Sequence, residues 1–336
     1  MKFPRLKPLL QNLALSVVSL MICAAALEVV LRFCGYGNVE IYEPDPVLYW
    51  KLKPNQNCYT KVDRKRVHIN SLGTRGPEFA PSKPPNTLRI LCLGDSRTFG
   101  WGLSEPETYC GVLERLVQEQ EGAAKRVEVI NAGVNAWSYP QMHAYFRELG
   151  VHYQPDFIVL EGANYWTQFG DKNSPEFVGK FMTRVRLKNF LRRFAIYHYF
   201  VEVKLHEFYS RYRTKFIPVD PEQDELFKEQ QRKDPDALFR DAIEALCRLA
   251  QNHNIKPILL HLPVLDEIGS TNLSRDFKIK SDISRTLNVP FLDVTPDLSS
   301  GGKALYLEAD PVHPNANGCK IIARRLFETV KAQETP

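Results

Sequence analysis

Leu88-Arg89-Ile90-Leu91-Cys92-Leu93-Gly94-Asp95-Ser96 is the stretch on which the reading of this 336-residue chain turns. A short apolar run follows a proline-rich segment and ends at a glycine. That pattern predicts a strand buried on both faces. Such strands belong to parallel sheets, whose helical crossovers cover both sides. A serine delivered at the carboxyl end of that strand lies where open α/β sheets hold their ligands.

Outward from this stretch the same pattern recurs. Strands are predicted over 89–93, 127–131, 157–162, 257–261 and 289–293, with helices that include 108–121, 237–252 and 318–331. Alternating β and α elements with right-handed crossovers give a three-layer α/β/α sandwich around a mainly parallel sheet of about five strands. The composition, 44% hydrophobic and 25% charged, is that of a globular chain long enough for one large domain. The net charge of +5 is mild. No zinc-knuckle spacing, RNA-binding motif or aromatic–basic repeat accompanies it, so no nucleic-acid partner is expected.

The N-terminus adds a second feature. Lys2, Arg5 and Lys7 precede an apolar stretch from about Leu9 to Leu31, and only Arg32 follows closely. This predicts a transmembrane signal-anchor with its tip in the cytoplasm and the rest of the chain outside it. In a Gram-negative bacterium that side is the periplasm. The alternative is a signal peptide cleaved after Ala24-Ala25-Ala26. Against it, Val29-Val30-Leu31 prolongs the apolar run. The expected organisation is an anchor over 1–34, a juxtamembrane segment with a stiff Pro-rich linker over 35–86, and a main domain over 87–336. The seven cysteines lack metal-ligand spacing. Cys92 reads as a small buried hydrophobe, whereas Cys34 and Cys58 are candidates to pair in an oxidising compartment.

An insertion at about 171–235 interrupts the alternation. Residues 171–215 carry eleven Lys or Arg against four Asp or Glu. Phe177, Phe181, Val185, Phe190, Phe194 and Tyr197 recur among these cations at near-helical spacing. Two readings compete: helices packed on the domain with solvated cationic faces, or a surface that touches anionic lipid or glycan.

Four short blocks carry chemistry: Gly94-Asp95-Ser96, Asn131-Ala132-Gly133, Gly162-Ala163-Asn164 and Asp310-Pro311-Val312-His313. Three fall at predicted strand ends, where the sheet would gather them. A serine hydroxyl becomes nucleophilic when a base takes its proton, and His313 is a base suited to neutral pH. Asp310, three residues earlier, can fix its tautomer in a turn. Bland alternatives exist for each block. Asp95-Ser96 can cap a helix, Gly133 can serve a turn, Asn164 can bond its own backbone, and Asp310–His313 can start the last helix.

With all four blocks in order, the chain resembles the SGNH, or GDSL, hydrolase superfamily over roughly residues 67–331. The resemblance implies a flavodoxin-like sheet, Ser96 as nucleophile, and Asp310 and His313 as orienting acid and base. It also implies an oxyanion hole from Ser96, Gly133 and Asn164. The segment Asn70-Ser71-Leu72-Gly73-Thr74-Arg75-Gly76 looks like one that precedes the domain in membrane-associated bacterial members. Two positions depart from the family pattern: Tyr165 stands where Asp is common, and Ala136 where Gly is common. The implied activity is a serine esterase working through an acyl-Ser96 intermediate, on an O-acylated envelope glycan or a lipid ester, with neither metal nor organic cofactor implied. The alternatives are an O-acyltransferase with the same intermediate, or a non-catalytic subunit that keeps the fold. Trp101, Trp137 and Trp166 follow three of the blocks and are candidates for a substrate wall or for core. His261, at a strand end, is either a site residue or a satisfied core histidine.

Overall fold

The computed structural model describes residues 6–60, 64–162, 175–205, 208, 235–270, 273–308 and 310–334. After the long helix α1 (Leu6–Phe33) come two short antiparallel pairs. These are β1 (Tyr42–Asp45) with β2 (Tyr49–Leu52), and β3 (Gln56–Tyr59) with β4 (Arg66–Ile69). The central sheet follows. Its strands are β5 (Thr87–Gly94), β6 (Arg126–Gly133), β7 (Phe157–Leu160), β8 (Lys256–His261) and β9 (Phe291–Asp293). All are parallel, in the spatial order β6-β5-β7-β8-β9. The five expected strands are present, with ends shifted by at most two residues.

The helices are α2 (Ser96–Phe99), α3 (Tyr109–Glu121), α4 (Tyr139–Glu148) and α5 (Pro175–Leu191). A short α6 (Ala195–Tyr197) runs into a wide π-helical stretch, His198–Leu205. Then come α7 (Pro235–Asn252), α8 (Arg275–Leu287), α9 (Thr295–Ser299) and α10 (Ala316–Glu334). Strand β5 shows why the layers form. Leu88, Ile90 and Cys92 join a core with α3 and α10, while Leu91 and Leu93 join the opposite core with α4, α7 and α8. The period of two sends alternate side chains to opposite faces, and every residue of the strand is buried.

Arg89 interrupts this apolar strand, and its place explains residues 35–86. Its side chain is fully buried, and its guanidinium holds Glu128 on β6 and the carbonyls of Ala80 and Pro81. Lys83 adds an ion pair to Asp156 at 2.6 Å. The Pro-rich stretch is therefore strapped to the sheet and does not stand off as a spacer. Upstream of it, the Arg75 amide donates to the Asn131 carbonyl, which ties the segment to β6. Cys34 and Cys58 are both free thiols: Cys34 is exposed after α1, whereas Cys58 is buried in β3. The expected pairing is not formed.

Helix α1 is long and apolar enough over Pro8–Phe33 to cross a bilayer. Its last turns dock on the basic insertion. The Glu28 carboxylate accepts from the amides of Ala195 and Ile196 at 2.9 and 3.0 Å, satisfying the free N–H groups that begin α6. The Gly37 amide donates to Nδ1 of the buried His198 at 2.8 Å.

Candidate active site

Strand β5 ends at Gly94, and the chain turns at once into α2. A Cβ on Gly94 would lie 1.9 Å from Thr98 Oγ1, so only glycine lets the turn close this tightly. Asp95 caps α2 by accepting from the Arg97 amide at 2.8 Å. Ser96 opens the helix with its side chain partly exposed. Behind it, Arg75 closes the other end of the helix. Its buried guanidinium donates to the carbonyls of Phe99 at 2.7 Å, Gly100 at 2.9 Å and Leu103. The cation meets carbonyls at and just beyond the carboxyl end of this one-turn helix, the negative end of its dipole.

Before α10, a loop brings in the partners of Ser96. His313 Nε2 lies 2.8 Å from Ser96 Oγ, and His313 Nδ1 lies 2.6 Å from Asp310 Oδ2. A carboxylate can only accept, so Nδ1 carries the proton and Nε2 is left to accept from the serine hydroxyl. The other Asp310 oxygen accepts from the amides of Val312 and His313. Burial alone would raise the Asp310 carboxyl. The hydrogen bond and charge of His313, with the two amides, outweigh it and hold the group below the usual carboxylate range. The Trp101 ring sits 5.9 Å from the imidazole, on the rim of this arrangement.

Gly133 requires a correction. Its amide donates to Asn131 Oδ1 at 3.0 Å and is not free to face a substrate. A Cβ there would meet the Phe99 amide nitrogen at 2.2 Å. The glycine is needed because β6 packs directly on α2. The next loop offers a different donor. Ala136 adopts a left-handed φ of 61°, and its N–H has no hydrogen-bond partner among the described residues. The same holds for the N–H of Ser96. Asn164 lies outside the described residues, as do Tyr165 and Trp166.

Beneath α2 lies a buried charged layer that sequence reading missed. Arg97 pairs with Asp95 at 3.0 Å and Glu161 at 2.7 Å, and donates to the Leu262 carbonyl at 2.8 Å. Lys280 of α8 donates to the carbonyls of Gly162 and Leu260. Together they tie the carboxyl ends of β5, β7 and β8. Burial pushes the Glu161 carboxyl up to about 7 against the pull of Arg97, with the Asp95 charge adding to the rise. The same burial acts on Asp95, but there Arg97 wins and the carboxyl is lowered. The signal in the sequence was the position of Glu161 and Arg97 beside two of the blocks; their pairing appears only in three dimensions.

The remaining candidates divide cleanly. His261 is buried against Phe277 and Phe291, and burial, Lys280 and Arg97 push its pKa down to about 2. It is a neutral core histidine. Trp137 is also core, its Nε1 donating to the Trp50 carbonyl at 2.9 Å.

A family model described as GDSL-like Lipase/Acylhydrolase family matches residues 92–321. Among solved structures, a psychrotrophic esterase, EstA, from Pseudoalteromonas sp. is 16% identical. That match covers 75% of this chain and 100% of the other, at a TM-score of 0.45. A lipase/acylhydrolase from Enterococcus faecalis is 15% identical over 73% of this chain and 96% of its own, also at 0.45. No curated protein matches the chain.

Proposed function

The chain belongs to the GDSL-like lipase/acylhydrolase family and is an ester-hydrolysing enzyme, and on that premise we propose that Ser96, His313 and Asp310 are its catalytic triad. The observation that carries this is the unbroken hydrogen-bonded line from Ser96 Oγ through the imidazole to Asp310. Ser96 Oγ attacks the ester carbonyl as its proton passes to His313 Nε2. The tetrahedral intermediate collapses, and the leaving alkoxide takes that proton. Water then attacks acyl-Ser96, giving a proton to His313, and the acid departs as His313 returns that proton to Ser96 Oγ. Asp310 stays ionised and stabilises the imidazolium.

The oxyanion is stabilised by the N–H groups of Ser96 and Ala136 and by the side-chain amide of Asn164. Loss of one such donor typically lowers kcat by about 10²–10³-fold. Ala136 supports this with an amide that has no hydrogen-bond partner among the described residues and with its left-handed φ. That backbone carries strain of the kind that collects at functional sites.

The substrate is an O-acylated envelope glycan or a lipid ester, with short acyl groups first. Helix α1 spans the membrane and leaves the esterase on its outer side, consistent with the cations before it. Assay of the full-length chain in detergent against esters from acetyl to long-chain tests this. Short esters should turn over fastest, and Ser96→Ala should lose about 10⁴-fold or more in kcat. Comparable turnover by that variant would remove Ser96 from the mechanism. Adding a glycan acceptor separates hydrolysis from transfer: acylated glycan in place of free acid would make the enzyme an acyltransferase.

A further inference from the structure

The described part of the insertion presents large apolar side chains to solvent. Leu187, Phe190, Phe194 and Phe200 are 57%, 53%, 43% and 48% exposed. Arg184, Arg186 and Arg193 are exposed among them, and none meets a carboxylate among the described residues. Large exposed aromatics interleaved with unpaired cations fit the boundary of a bilayer, where rings enter the headgroup layer and cations meet phosphate.

The depth of this surface follows from α1. Residues 8–27 contain no charged side chain. Twenty helical residues rise about 30 Å, the thickness of a hydrocarbon core. Lys7 and Glu28 therefore bracket the core, one at each boundary. Glu28 is also the residue that holds the amides of Ala195 and Ile196. The start of α6, with Phe194 beside it, is thus fixed at the depth of Glu28, and Arg32 binds the Arg193 carbonyl from the next turn.

Resting on the reading of α1 as a spanning helix, we propose that the surface around Phe190, Phe194 and Phe200, with Arg184, Arg186 and Arg193, docks on anionic phospholipid at the membrane boundary. The domain is then held in one orientation and does not swing on a tether. Each cation beside an anionic surface strengthens the contact by about fivefold at low salt, and salt weakens it.

The test uses the full-length chain reconstituted in vesicles of phosphatidylcholine, with or without phosphatidylglycerol. p-Benzoylphenylalanine is placed in turn at Phe190, Phe194 and Phe200, with exposed Leu273 as the reference position. Lipid adducts should form at the three phenylalanine positions well above the level at Leu273. They should increase with phosphatidylglycerol. The triple variant Arg184→Gln, Arg186→Gln, Arg193→Gln should lose that increase while keeping its far-UV circular dichroism. Adducts no more frequent than at Leu273, or crosslinks to a second protein copy, overturn the docking. Flotation with the vesicles separates the spanning helix from the docking surface. A chain that does not float removes the spanning helix and the docking together; one that floats without adducts removes the docking alone. Labelling of Ser96 by a fluorophosphonate is independent of both.

Discussion

Burial pushes the Glu161 carboxyl up to about 7, well above its ordinary 4.5, while Asp95 on the same arginine stays ionised. Between those pH values the folded protein keeps a proton that the unfolded chain releases. Stability contributed at this site is therefore highest below pH 4.5 and falls as pH rises towards 7, by on the order of 2–3 kcal/mol. Glu161→Gln removes that slope. The melting temperature of the variant relative to the parent should climb across this window, and a constant offset would show that Glu161 does not titrate there. Asp310 runs the other way. Its lowered carboxyl contributes stability above the ordinary carboxylate range that is lost only as pH falls through its folded value. Asp310→Asn should flatten the acid limb of the melting profile and lower kcat by about 10⁴-fold, since it reverses the tautomer of His313. At this scale the sequence spoke through types and spacing. Asp310 lies one turn before His313, so their pairing was legible. The hydrogen bond from Gly133 to Asn131 was not, because it depends on which way a strand-end amide points.

Helix α2 is a single turn, too short to hold itself together. It persists because both ends are fastened, by Asp95 at the start and Arg75 at the finish. Arg75→Lys keeps the charge but not the fork that reaches three carbonyls. It should cost about 2–3 kcal/mol, because buried carbonyls lose charge-assisted donors. It should also lower kcat through displacement of Ser96. A melting temperature within one degree of the parent's, about the precision of such scans, would contradict that account. Ala136→Gly tests the facing loop: relief of the left-handed backbone should raise stability by about 0.5–1 kcal/mol, read from urea titration. The five strands and the principal helices were legible because apolar runs and helical periods are local signals. Arg75 was not, since nothing near it in sequence shows that its partners lie at residues 99–103.

Across the whole molecule, a series of contacts links α1 to the neighbourhood of Ala136. Glu28 holds α6, Asn189 of α5 donates to the Tyr42 carbonyl, and Tyr42 Oη accepts from Asn135, next to Ala136. Glu28→Ala should release the amides of Ala195 and Ile196 to hydrogen exchange by about tenfold or more, the worth of a charge-assisted bond. Unchanged exchange there would mean that the helix end does not dock. The apolar helix and the cationic insertion were each visible in the sequence. Their meeting was not, because 167 residues separate Glu28 from Ala195.

The separation of Ser96 from His313 is longer still, 217 residues. Synthesis proceeds from the amino terminus, so Ser96 leaves the ribosome long before His313, its proposed base. The sheet can add β5, β6 and β7 in turn while Ser96 remains an ordinary, inert alcohol. On the proposed triad, hydrolysis begins only when the loop before α10 settles beside α2, so activity waits for a segment made more than two hundred residues after the serine.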